Sequence, residues 1–246
     1  MKKIFFVLAV FFTVNFIHAT DKKDIAGFIK EADKVLQETQ KVKKELNNER
    51  VKYENRIKKI ENLKNGKGDF FLQDFINNLL LKYHLGQANN NAYKIYKLTK
   101  KQRELNNDYF TLVSLIMTEY GEKIKTCIIN KCPDLQYLYN ERIKWVDIIK
   151  NYENYIGVDL AFDLFEKKYD EKSIKDLIEY LNVKIIQIEQ RIYLLNEEIA
   201  INNLLKNSNV ISVKDGRNEF DEKIKELQQL KYVIREKIKE LEKKIN

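Results

Sequence analysis

The chain has 246 residues with 45 Lys and Arg against 37 Asp and Glu, a formal balance of +8, and one third of its residues are charged. Acidic and basic residues interleave along the whole length without forming a block, which is the pattern of solvated helix faces and excludes a dedicated nucleic-acid footprint. One proline and seven glycines leave too few turn residues for a fold of many short strands, so the chain is predicted to be all-α, built from long helices.

Residues 1–19 read as a signal peptide. Lys2 and Lys3 form the charged start, Ile4 to Ile17 the apolar stretch, and Ala19 the small residue before a cut. The apolar stretch contains Thr13 and Asn15 and is shorter than the roughly 20 apolar residues a spanning helix needs, which favours cleavage over a retained anchor. The expected location is therefore periplasmic, or on the cell surface or secreted, after cleavage.

Residues 20–65 are predicted to form one long helix of a bundle. Ile25, Ala32, Thr39, Leu46, Tyr53 and Ile60 repeat every seven residues, with Phe28, Val35, Val42 and Leu63 three further on and Glu49 and Arg56 interrupting that second series. Asn65-Gly66-Lys67-Gly68 predicts a turn and Asp69 a cap. Residues 66–172 are then expected to make a smaller helical lobe. It opens with an apolar segment, Asp69 to Leu85, whose composition predicts burial. Gly86 and Gln87 to Asn91 predict a bend, and the apolar-poor stretch Lys97 to Asp108 is expected to project into solvent or toward a partner.

Cys127 and Cys132, the two cysteines, stand five apart. In an exported chain such an isolated pair predicts a disulfide pinning a corner between two helices. The spacing is wrong for a redox Cys-x-x-Cys, and the residues for a four-ligand zinc site are lacking. Pro133 suits the first position of the next helix, expected over Asp134 to Ile156. Tyr137, Tyr139, Trp145, Tyr152 and Tyr155 gather there. Trp145 is assigned to the core, and Tyr137 and Tyr139 are the candidate partner-binding residues, since such aromatics carry much of interface energetics. A short helix over Val158 to Tyr169 brings Asp159, Asp163 and Glu166 to one face, where they read as an acidic face in water in preference to a catalytic pair or cation site.

Residues 173–246 are predicted to form an antiparallel helical hairpin. Ser173 to Asp176 has capping-box spacing, and a helix follows from Ile174 to about Leu205. The connecting loop, Asn207 to Asn218, holds the β-favouring Val210 to Val213 and the Asp215-Gly216 turn. The last helix, Glu219 to Ile245, carries the cleanest seam: Phe220, Ile224, Leu227, Ile234, Ile238, Leu241 and Ile245, with Lys231 in the one polar slot. The first helix is expected to pack with this hairpin as the third member of the bundle.

No phosphate loop, nucleophile elbow, zincin motif or Glu-x-x-His pair is present, so no catalytic, cofactor-binding or metal-binding residue is assigned and the chain is expected not to be an enzyme. The lone histidine after the leader, His84, reads as a packed or surface residue. What remains is a scaffold or adaptor working through protein–protein contact with envelope or surface proteins. Self-association fits this reading, whereas a nucleic acid or small-molecule substrate does not, and membrane contact is expected only through partners. The plan of a leader, long bundled helices and an inserted lobe resembles the minor pilus-tip subunits of conjugative type IV secretion systems. That resemblance spans the whole chain loosely and rests on no residue motif, so it assigns no residue; it implies a secretion-system or pilus-associated subunit. The competing readings are a periplasmic holdase chaperone and, behind it, an α-helical enzyme centred on Asp163.

Overall fold

Asp24 starts the first helix: its side-chain oxygen accepts the backbone N–H of Gly27 at 2.9 Å, satisfying one of the donors that a helix start leaves open. The computed structural model describes residues 24–65, 71–152, 171–208 and 217–245. Five helices and no strand occur among the described residues: α1 (Ile25–Asn65), α2 (Phe71–Asn130), α3 (Leu135–Lys150), α4 (Glu171–Ser208) and α5 (Arg217–Ile245). The chain is all-α, as its composition implies. The leader, the turn before Asp69, the acidic set Asp159, Asp163 and Glu166, Tyr155, and the Val210 to Val213 patch lie outside the described residues.

The helix α2 is one uninterrupted element of 60 residues, about 90 Å long at 1.5 Å per residue, where the sequence suggested a bend at Gly86 to Asn91. The reason is α1. Ala88, Asn91 and Ile95 are buried at helical steps, so the stretch that reads as a bend is in fact a contact face. The two helices run antiparallel: Arg56 meets His84, Glu49 meets Asn91 and Glu38 meets Lys101 in reversed order. Lys97 to Asp108 correspondingly does not project, because Thr99, Gln102, Leu105 and Asn106 are buried. The expected third-member place of α1 beside the C-terminal hairpin is also corrected, since its main partner is α2.

This pairing accounts for the two polar interruptions in the repeat of α1. Glu49 accepts a hydrogen bond from the Asn91 amide at 2.7 Å and pairs with Lys52 at 2.7 Å. The Lys52 hydrogen bond, helped by Asn91, holds the Glu49 carboxyl below the usual range. Arg56 reaches Nδ1 of His84 at 3.1 Å and lies 5.7 Å from the centre of the Tyr83 ring. Each interruption thus has a polar partner across the hairpin, an arrangement that fixes register.

Beyond residue 105, α2 enters a different environment. Tyr109, Phe110, Val113, Ile116, Met117 and Tyr120 form one core with Ile25, Phe28 and Ala32 of α1, Trp145, Val146 and Ile149 of α3, Ile188, Leu194 and Leu195 of α4, and Phe220, Ile224 and Leu227 of α5. All five helices contribute, so the core does not divide into the bundle and inserted lobe expected at residues 66 and 172. Here α4 runs alongside α2 in the same direction, as Asn107 with Gln187 and Lys125 with Glu197 show. The shorter α3 runs opposite to both, its C-terminal neighbour Tyr152 donating to the Asn106 carbonyl at 2.7 Å. Arg191, itself buried, caps α3 by donating to the carbonyls of Ile149 and Lys150.

The last two helices pack against each other. Ile174, Leu177, Leu181 and Ile185 meet Ile238 and Leu241. Lys231 lies in the polar slot at the rim, its amine 3.5 Å from Glu189. The helix α4 already begins at Glu171, so Ser173 sits inside its first turn and does not occupy the cap position.

Candidate protein-binding corner

The chain reverses between α2 and α3 over residues 131–134. The helix α2 stops because Lys131 takes a left-handed conformation, with φ of 54°, and the N–H of Cys132 returns to the Cys127 carbonyl at 3.1 Å. That i to i+5 bond is the signature of a Schellman stop, which brings the side chains five residues apart against each other. The spacing of the two cysteines is therefore the spacing of the motif itself. Cys127 and Cys132 are free thiols in this structure, hydrogen-bonded to one another, so the predicted bridge is not formed here although its two ends are already adjacent. The contact with Cys132, together with burial, pushes the Cys127 thiol up to about 11. Pro133 stands in the turn and Asp134 holds the cap position, which moves the start of α3 one or two residues past where the proline suggested.

Beneath the turn lies a small apolar cluster of Ile124, Cys127, Leu135, Tyr139, Ile201 and Leu205. The sequence proposal of Tyr139 as a contact residue fails here, because its ring is buried at 5% exposure and fills this cluster. Two residues on a helix are separated by about 200°, so Tyr137 and Tyr139 face opposite ways. Tyr137 points outward, 62% exposed, and Ile129 in the last turn of α2 is 79% exposed. Ile129 was not singled out in the sequence, where it follows a second isoleucine, Ile128. Trp145 and Tyr152 are buried, consistent with the core role assigned to the tryptophan.

One turn further along α3 is a fully buried guanidinium. Arg142 donates through Nε to Glu198 at 2.7 Å, through Nη2 to Glu197 at 3.3 Å, and through Nη1 to the Met117 carbonyl. Lys125 joins Glu197 at 2.9 Å, extending the network to the surface. Gly121 makes the space: a Cβ added there would sit 2.5 Å from Nη1 of Arg142. Burial pushes the Glu198 carboxyl up and the Arg142 charge pulls it back, while one of its oxygens, Oε1, has no partner. The Tyr139 phenol, adjacent in this environment, is raised to about 12 by burial and by the Glu198 charge. Three helices, α2, α3 and α4, are tied together at this one arginine directly under the corner.

Chemically the corner presents two large apolar side chains on a braced base. Among the described residues no cluster of three His, Cys, Asp or Glu has the arrangement of a metal site. Compared with known proteins, the chain matches no family model, no curated protein and no solved structure.

Proposed function

We propose that this protein is an exported, non-enzymatic scaffold or adaptor of the cell envelope, and that it captures another envelope or surface protein at the cysteine corner. The observation that carries the reading is the pairing of exposure with rigidity. Ile129 and Tyr137 stand in solvent on either side of a turn whose underside is a packed cluster and a buried ion network. An anchor held in place before binding loses little freedom on binding, which is where affinity is otherwise lost. Tyrosine at such a position carries a large contact area on few rotatable bonds. In an oxidising compartment Cys127 and Cys132 would close into a bridge that holds the turn still more firmly, contributing about 2 kcal/mol by loop closure. The leader and the long helices, both read from the sequence, make a secretion-system or pilus assembly the setting we favour.

Photoreactive side chains introduced at positions 129 and 137 in living cells test the reading. One discrete adduct is expected at both positions and none at position 100 on the far part of α2, and Ile129→Ser with Tyr137→Ser should abolish capture while helicity stays unchanged. Adducts of equal yield at all three positions, or capture that persists in the double variant, would overturn it. Mass spectrometry of the unreduced, alkylated mature protein separately reads the cysteine state, with the bridged mass expected.

A further inference from the structure

Near the far end of the α1–α2 hairpin, α2 leaves large apolar side chains exposed. His84, Ala88, Asn91 and Ile95 form the face of α2 that meets α1, through the Arg56 and Glu49 contacts and by burial. Leu79 points away from that face and is 54% exposed, while Tyr83 and Leu80 lie at its edge and are 55% and 42% exposed, Tyr83 with the Arg56 guanidinium 5.7 Å from its ring centre. The sequence continues that series toward the helix start at helical spacing, with Leu72, Phe75 and Ile76. Segments this apolar are normally buried, yet none of the three apolar cores includes Leu79, Leu80 or Tyr83. Around them Lys58, Lys59, Lys64 and Lys82 are exposed, and Glu61 is the single acidic residue at positions 56–64 and 78–85. Positions 65–77 add Lys67, Asp69 and Asp74, which leaves the end basic.

We infer that this end of the hairpin docks directly onto an anionic phospholipid bilayer, with Leu79, Leu80 and Tyr83 entering the headgroup region and the lysines pairing with lipid phosphates. Charge selects the occupant. A second copy would bring two lysine-rich ends together, whereas an anionic surface complements them, and juxtaposed apolar and basic side chains are the pattern of interfacial membrane binding. The contact is with the surface, since no described helix is long and apolar enough to cross a membrane. It replaces the membrane contact through partners expected from the sequence, and it leaves the cysteine corner, at the other end of α2, free for a protein.

The test uses the full chain carrying Tyr83→Trp, with equimolar phosphatidylcholine and phosphatidylglycerol vesicles bearing brominated acyl chains. Emission from the new indole should shift to the blue and be quenched, while the parent chain, whose Trp145 is buried in the core, shows no quenching. Pure phosphatidylcholine vesicles should give little quenching, and raising salt should weaken it. Leu79→Gln with Leu80→Gln should reduce the bound fraction about tenfold or more, since partition scales with buried apolar area. These side chains are exposed, so the thermal melt should not move; should it move, the quenching at position 83 decides alone. Binding without quenching at position 83, as a membrane-held leader would give, overturns the proposal. So does equal quenching on neutral vesicles, or a concentration-dependent dimer abolished by the two glutamines in the absence of lipid binding.

Discussion

The two halves of α2 live in different structures although they belong to one helix. Up to Asn106 its partner is chiefly α1, across an interface that buries Asn91, Thr99, Gln102 and Asn106 and leaves Thr99 Oγ1 without a partner. From Tyr109 onward it is enclosed by α1, α3, α4 and α5 and buries Val113, Ile116, Met117 and Ile124 completely. The first half is an arm that pairs mainly with α1 in a register set by polar pairs, with Tyr96 and Arg103 reaching Asp176 and Tyr180 of α4. The second half is a core, and the buried Arg142 beside it is tied on three sides. The comparison teaches that helix continuity does not imply uniform stability: the same backbone passes from a segment that two helices hold to one that the whole fold holds.

Four single substitutions and one double variant probe that contrast, and a fifth single substitution, on α5, sets the lower end of the scale. The largest effect belongs to the core half: Arg142→Ala should cost about 3 to 5 kcal/mol, because Glu198 is left buried and unpaired. Arg142→Met together with Glu198→Met should recover most of that loss, and urea denaturation of the three variants gives the comparison directly. A double variant as unstable as the single one would mean that the core depends on the charge pair itself.

Next in size are the two glycines of α2. Gly121→Ala should destabilise by about 1 to 3 kcal/mol, since the added methyl collides with a guanidinium that cannot move aside. Gly86→Ala in the arm has nothing within 4 Å and should stabilise by up to about 1 kcal/mol through helix propensity alone. Opposite signs in thermal unfolding would confirm that the halves differ, whereas equal shifts would erase the distinction.

Smaller still is Thr99→Val, which removes an unpartnered buried hydroxyl at nearly constant shape and should stabilise by about 1 kcal/mol. Smallest is Lys231→Leu at the hairpin rim. Its partly exposed ion pair with Glu189 is worth at most a few tenths of a kcal/mol, so the melt should stay or rise slightly. A clear fall there would show that the seam of α5 is rotated from the arrangement described.

How much of this could be read beforehand depends on whether a feature is written locally. The seam from Phe220 to Leu241 was legible because its apolar period lies within one helix, and its polar slot at Lys231 fell where the structure has it, at the rim. The continuity of α2 was not legible. Gly86 and the asparagines after it are weak helix formers, and what keeps them helical is packing on residues of α1 some 30 to 40 positions away. Arg142 gave no signal either, since an arginine in Tyr-Asn-Glu-Arg-Ile-Lys-Trp looks like any solvated one until Glu198 and Gly121 are brought to it. The faint clue was on the other side: a Glu-Glu pair at 197–198 inside an apolar run, and a lone glycine inside another. Tyr139 was misplaced for a different reason. Residues two apart on one helix point about 200° away from each other, and that arithmetic was available from the sequence alone.

The placement of Arg142 also bears on the order in which the chain assembles. Its partners on α2 lie within about 25 positions and so close early, as does the α1–α2 arm, because short loops cost little entropy to form. Glu197 and Glu198 are 55 and 56 positions away, on α4, and close a longer loop. The charge pair should then form after the rate-limiting barrier, so that its removal leaves refolding nearly as fast as in the parent and makes unfolding faster by most of the lost free energy. An arginine buried in this way acts as a latch: it contributes little to finding the fold and mainly delays its loss.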